Sequence, residues 1–174
     1  MTILPAQPCL LIIWHSRTGA SAAMAQAAAE GAGSAALLIA AADVVPDMLL
    51  AADGLIFCCP ENLGSMSGMM KEMFDRAYYP VLGQIEGRPY ATVIAAGSDG
   101  EGAQRQIDRI ATGWRLRRVA DPLIINFGAQ TPQAIAAAKQ VPAAALQQCR
   151  DLGSALAEGL RLGVFQVVSL SGTT

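Results

Sequence analysis

Apolar residues fill nearly every position of five short segments: Cys9 to Trp14, Ala35 to Ala40, Gly54 to Cys59, Tyr90 to Ala96 and Leu123 to Phe127. Continuous rather than alternating apolar runs suit strands that are covered on both faces, as in a parallel sheet. Between them the period changes. Ala20 to Ala32 is rich in helix formers and is punctuated by Gly31 and Gly33. Asp47 to Ala52 reads as a short helix after Pro46. Met69, Met70, Met73, Phe74 and Ala77 recur at helical spacing, with Lys71, Glu72, Asp75 and Arg76 opposite them. Ala103, Ile107, Ile110 and Trp114 form another such face, and a last helix covers about Ala143 to Leu162 after a loop containing Pro132 and Pro142. Proline is expected to stop the third strand at Pro60 and the methionine-bearing helix at Pro80. The tail from Gly163 ends polar and is expected to be loose, with Val164, Phe165, Val167 and Val168 as its packing candidates.

Five strands alternating with five helices predict an α/β fold, a doubly wound five-stranded parallel sheet with helices on both faces. Neither a repeat nor a linker interrupts the pattern. One domain over residues 1–174 is expected, with a core of about 9–162. Sheets of this kind bind ligands beyond the carboxyl ends of their strands, where the strand order reverses. Three loops, Ser16–Ser21, Pro60–Ser67 and Gly97–Gly102, should therefore open on one edge, and all carry Gly, Ser, Thr or Asn.

Composition narrows the partners. With 53% hydrophobic and 15% charged residues, and a net charge of −2, the chain suits a compact globule whose neutral surface favours self-association. It has no basic block to recruit nucleic acid. No signal-like or membrane-spanning run is present, so membrane insertion is not expected. Cys9, Cys58, Cys59 and Cys149 show no Cys-x-x-Cys or metal spacing. They predict a reduced, cytoplasmic protein with no metal site.

The first loop carries the clearest chemistry. Ser16, Thr18 and Ser21 offer hydroxyls, Gly19 permits a positive φ, and the helix that follows presents free N–H groups at its positive end. An ordinary capped turn has the same ingredients. The chain lacks both Gly-x-x-x-x-Gly-Lys-Ser/Thr and Gly-x-Gly-x-x-Gly, which argues against triphosphate and dinucleotide sites and for a terminal monophosphate.

Ser16-Arg17-Thr18-Gly19-Ala20-Ser21 resembles the phosphate loop of flavodoxin-like proteins. Gly64-Ser65-Met66-Ser67-Gly68-Met69-Met70-Lys71-Glu72-Met73-Phe74-Asp75-Arg76 resembles the segment after the third strand in their reductase branch. That branch comprises NADPH-dependent FMN reductases and tryptophan-repressor-binding-protein-like quinone reductases. The resemblance implies the strand order 2-1-3-4-5, with FMN between strands one and three. It assigns Ser16, Arg17, Thr18, Gly19, Ala20 and Ser21 to the phosphate. Pro60, Glu61, Asn62, Leu63, Gly64 and Ser65 would edge the isoalloxazine ring, and Gly97, Ser98, Asp99 and Gly100 would line its other side. Relatives often carry Thr and then an aromatic after the proline, where this chain has Glu61 and Asn62. Asn62 would either bond the pyrimidine edge of the ring or shape the turn. The implied activity is ping-pong electron transfer from NADH or NADPH to a quinone or similar small-molecule acceptor, in a homodimer or homotetramer. A flavodoxin-type one-electron carrier and a flavin-binding module without turnover are the alternatives.

Other residues have a commoner structural reading beside the functional one. His15, the only histidine, adjoins the phosphate loop and is a candidate proton donor, although a lone histidine at a strand end is more often structural. Arg105, Arg109, Arg115, Arg117 and Arg118 offer charge to an NADPH phosphate or an acidic partner, yet a solvated helix face is commoner. Trp114 would border the site only from a neighbouring subunit, and its helical phase favours the core. Cys58 and Cys59 should point to opposite faces of their strand, which argues against a redox pair.

Overall fold

The computed structural model describes residues 7–166. Its strands are β1 (Leu10–Trp14), β2 (Ala36–Ala40), β3 (Gly54–Asn62), β4 (Ser65–Met66), β5 (Pro89–Ala96), β6 (Arg117–Arg118) and β7 (Leu123–Asn126). The helices are α1 (Ala20–Ala32), α2 (Pro46–Ala51), α3 (Gly68–Val81), α4 (Glu101–Gly113), α5 (Pro132–Ala136) and α6 (Ala143–Leu162). The long strands lie in the order β2-β1-β3-β5-β7, all parallel. Counted along the chain, that is the expected 2-1-3-4-5. The sheet has seven strands rather than five. β6 is a two-residue stub beside the start of β5, and β4 folds back antiparallel on the end of β3, so the sheet is not wholly parallel.

Both prolines act later than the sequence suggests. Pro60 stands inside β3, paired with Ala95. β1 has its last partner at Cys58, whose carbonyl accepts from the His15 N–H. Two residues on, Pro60 turns the same way, past the end of β1, where no ladder bond requires its missing N–H. Its carbonyl accepts from the Ser67 N–H instead. Pro80 lies in the last turn of α3, which closes one residue later. A sixth helix, α5, occupies the connection expected to be a loop, with the Thr131 hydroxyl capping the Ala134 N–H.

Strand alternation divides the core in two. Leu11, Ile13, Leu55, Phe57, Cys59 and Ile94 face α2, α3 and α4, where Met70, Met73, Phe74, Ala77 and Trp114 are buried. Met69 departs from the expected stripe and is 40% exposed. Trp114 is a core residue, stacked on Tyr78 with its indole N–H donating to the Tyr78 carbonyl. On the other face Leu10, Ile12, Ile56, Cys58 and Val93 meet α1 and α6, so Cys58 and Cys59 do part to opposite sides. Here the packing is backbone to backbone. A Cβ on Gly153 would sit 1.9 Å from the Ala28 carbonyl oxygen, and one on Gly31 would sit 1.9 Å from that of Arg150. The alanines of α1 and these two glycines let the helices approach this closely.

Among the described residues, no helix is long and apolar enough to cross a membrane, and no group of His, Cys, Asp and Glu could hold a metal ion. All four cysteines are free. Val167 and Val168 lie outside the described residues.

Candidate functional site

β1, β3 and β5 are neighbours, so the loops that follow them meet at one edge, and the reversal of strand order falls between β1 and β3. In the first loop the Ser16 hydroxyl accepts from the Gly19 N–H at 3.1 Å. Gly19 adopts φ +94°, which turns the chain into α1 and which a side chain would strain. Arg17 is exposed and Thr18 half-buried. Ala20 and Ser21 form the first turn of α1 and are 2% and 1% exposed. The Ser21 hydroxyl oxygen is buried without a hydrogen-bond partner. Such an orphan costs about 1–3 kcal/mol, and it stands where free helix N–H groups also gather.

The second loop is a hairpin. Glu61 pairs with Met66 and Asn62 with Ser65 across β3 and β4. Leu63 and Gly64 make the turn at φ +53° and +72°. That pair of left-handed residues fits the twist of a two-residue hairpin, though leucine pays a steric penalty there. Leu63 is fully exposed. Pro60, Glu61, Asn62 and Ser65 are half-buried.

In the third loop, Gly97 packs so that a Cβ would come within 2.8 Å of the Ala129 carbonyl oxygen. Ser98 and Asp99 are exposed. Gly100 is buried at φ +95° and serves as the N-cap of α4.

Cross-links between these loops come largely from residues whose roles the sequence did not disclose. The Glu61 carboxylate, expected to lie along a ring edge, accepts from the Gly100 N–H at 2.9 Å and the Ala103 N–H at 3.0 Å. His15 Nδ1 lies 2.8 Å from the hydroxyl of Ser67, which is fully buried and precedes α3. Burial, aided by the Arg17 charge, holds His15 below the ordinary imidazole value. The ring is therefore a neutral tie between the first two loops near pH 7. The Lys139 N–H donates to the Thr18 carbonyl at 2.9 Å, fastening the connection between β7 and α6 to the first loop. Lys139 Nζ meanwhile donates to the Ala134, Ile135 and Ala137 carbonyls at the end of α5. A lysine shortly after a short helix is a C-capping signal that the sequence does carry. Nothing local marks Ser67 as the partner of a residue 52 positions away.

The remaining candidates make none of these links between the loops. Arg118 pairs with Asp108 at 2.9 Å, and Arg117 donates to the Phe165 carbonyl. Arg105, Arg109 and Arg115 are exposed. Burial raises the Cys59 thiol to about 12 and pushes Cys58 well up too, so both remain protonated.

Comparisons with known proteins agree with this architecture. Residues 40–123 match the family model for NADPH-dependent FMN reductase. A flavodoxin of Aquifex aeolicus (strain VF5) is 29% identical over 168 residues, covering 89% of this chain and 88% of its own. Among solved structures, a flavodoxin from the domain Archaea superposes with a TM-score of 0.71 at 22% identity, over 87% of this chain and 98% of that one. A flavone reductase superposes with a TM-score of 0.67 at 16% identity, over 90% of this chain and 65% of that one. The fold is thus that of flavodoxin-like proteins, and the sequence is similar to a flavodoxin and, over residues 40–123, to NADPH-dependent FMN reductases.

Proposed function

We propose that the protein is an FMN-dependent oxidoreductase that passes electrons from NADH or NADPH to a quinone or similar small-molecule acceptor. The observation that carries this reading is the unpartnered, buried Ser21 hydroxyl in the first turn of α1, beside the β1–β3 switch point. Its sequence neighbours fit a phosphate monoester: the Thr18 hydroxyl, the exposed Arg17 and the free N–H groups of a helix start. The hydride acceptance from a nicotinamide and the release of two electrons to an acceptor are what FMN supplies when bound. The chain's part is to anchor the phosphate through residues 16–21 and to flank the ring with residues 60–65 and 97–100. His15 in its neutral form ties the first two loops, a positioning role rather than a proton-donating one. Donor and acceptor would use one open edge in turn, which is the geometry of a ping-pong cycle. NAD(P)H, a proton and a quinone would give NAD(P)⁺ and a hydroquinone. Free, largely buried cysteines suit the reducing cytoplasm, and exposed Leu37 and Val45 suit assembly as a homodimer or homotetramer.

The test is spectroscopic. Purified protein should carry or take up FMN, bind riboflavin far more weakly because it lacks the phosphate, and lose its flavin band anaerobically with NADH or NADPH. Absence of FMN binding would overturn the cofactor assignment, and absence of bleaching would overturn the reductase. One observation favours a carrier instead: the Aquifex aeolicus relative bears the name flavodoxin. A carrier should take up electrons in two resolved one-electron steps and give no quinone turnover with nicotinamide donors.

A further inference from the structure

Glu61 stands where relatives often carry Thr, and its carboxylate does something a threonine hydroxyl would not reach to do. Each oxygen takes one N–H from the start of α4, Gly100 at 2.9 Å and Ala103 at 3.0 Å. Helix α4 makes no cap from its own N-cap residue, since Gly100 has no side chain to offer. Glu61 therefore supplies from another loop the acceptors that the helix lacks, with its negative charge at the positive end of the dipole. Other contacts hold the hairpin against the same helix. Gly102 lies so close that an added Cβ would be 2.0 Å from the Gly64 carbonyl oxygen. Gln106 accepts from the Met66 N–H at 2.9 Å and reaches the Ser65 hydroxyl at 3.3 Å. The spacing between the second and third loops is thus set by a side-chain clamp centred on one carboxylate.

We propose that Glu61 is a positioning residue for the flavin ring and also biases the site against reduced flavin. This rests on the FMN reading above. The clamp fixes the two loops that flank the ring, and the same carboxylate keeps a fixed negative charge between them. Two-electron reduction, by a nicotinamide donor or by dithionite, adds two electrons and one proton and leaves FMN with one more negative charge near neutral pH. A half-buried carboxylate nearby opposes that charge more strongly than an exposed one.

The experiment compares wild type, E61Q and E61A in three measurements: melting of the FMN-free protein, the Kd for oxidised FMN by fluorescence quenching, and the midpoint potential of the bound flavin. Glutamine keeps an oxygen acceptor but removes the charge. E61Q should bind oxidised FMN within threefold of wild type. It should bind reduced FMN about tenfold more tightly relative to oxidised, a rise of ~30 mV for a two-electron couple. E61A should bind oxidised FMN at least tenfold more weakly. Wild-type affinity in E61A would overturn the positioning role. An unchanged potential in E61Q, a variant that keeps one clamp bond, would overturn the electrostatic role even if E61A proved poorly folded. Failure of the wild type to bind FMN would instead sink the FMN assignment, and this inference with it.

Discussion

Under the proposed function, Ser21 would combine a cost in the free protein with a use in the FMN-loaded one. Replacing it with alanine removes a buried hydroxyl that has no partner. Ser21→Ala should therefore stabilise the FMN-free protein by about 1 kcal/mol in urea denaturation while weakening FMN binding in titration. The opposite signs are the point, because a merely structural serine would not produce them. Thr18→Ala should weaken FMN by roughly 1.5–3 kcal/mol, the range for a hydrogen bond to a charged group, and unchanged affinity would remove Thr18 from the site. His15 provides a pH signature. Its folded pKa is depressed, so the unfolded chain takes up a proton first as pH falls. The stability this contributes is present above the ordinary imidazole value of about 6.5 and is lost as pH falls toward the depressed folded value. With a single histidine, denaturation midpoints measured between pH 7 and 5.5 isolate the effect, and His15→Gln should flatten that limb. The turn into α1 was legible in Ser16–Ser21, where Gly19 and the hydroxyl residues mark a positive φ and a helix start. Glu61 was legible only as a departure, because its partners lie about 40 positions away and no local pattern encodes them.

Elements were read best where one physical requirement ruled a whole segment. The central strands must be apolar on both faces, so β1, β3 and β5 stand out as unbroken runs, and α1 and α6 appear at their observed bounds. Proline misled where its environment mattered more than its geometry, as at Pro60 beyond the end of β1. β4 was invisible because two residues have no period, and the hairpin turn uses Leu63 where glycine or asparagine would have signalled it. The α1–α6 contact was partly legible in the alanines, but Gly31 looked like punctuation and nothing in the sequence singled out Gly153. Gly153 lies inside α6 against the backbone of α1. Gly153→Ala should gain intrinsic helix propensity and still lose about 3 kcal/mol through overpacking. That corresponds to a fall in Tm of roughly 6–12 °C for a chain of this size, measurable by calorimetry. A stabilised variant would show that the helices can separate without cost.

At the scale of the molecule, the sheet divides the interior into two compartments that share strands but not side chains. Met73 and Cys149 lie in different compartments, so the effects of Met73→Leu and Cys149→Ala should add to within about 0.5 kcal/mol in equilibrium unfolding. Strong non-additivity would mean that strain crosses the sheet. The compartments also differ in kind. One is filled with methionine and aromatic side chains that can rearrange, and the other is closed by peptide groups that cannot. A saturation scan should therefore divide the protein by tolerance as well as by burial. Behind α3 and α4 most volumes would be accepted and polarity punished, while between α1 and α6 a single methyl group would be rejected. Sequence drift in this lineage would then be channelled through one face of the sheet, leaving the α1–α6 wall almost unaltered.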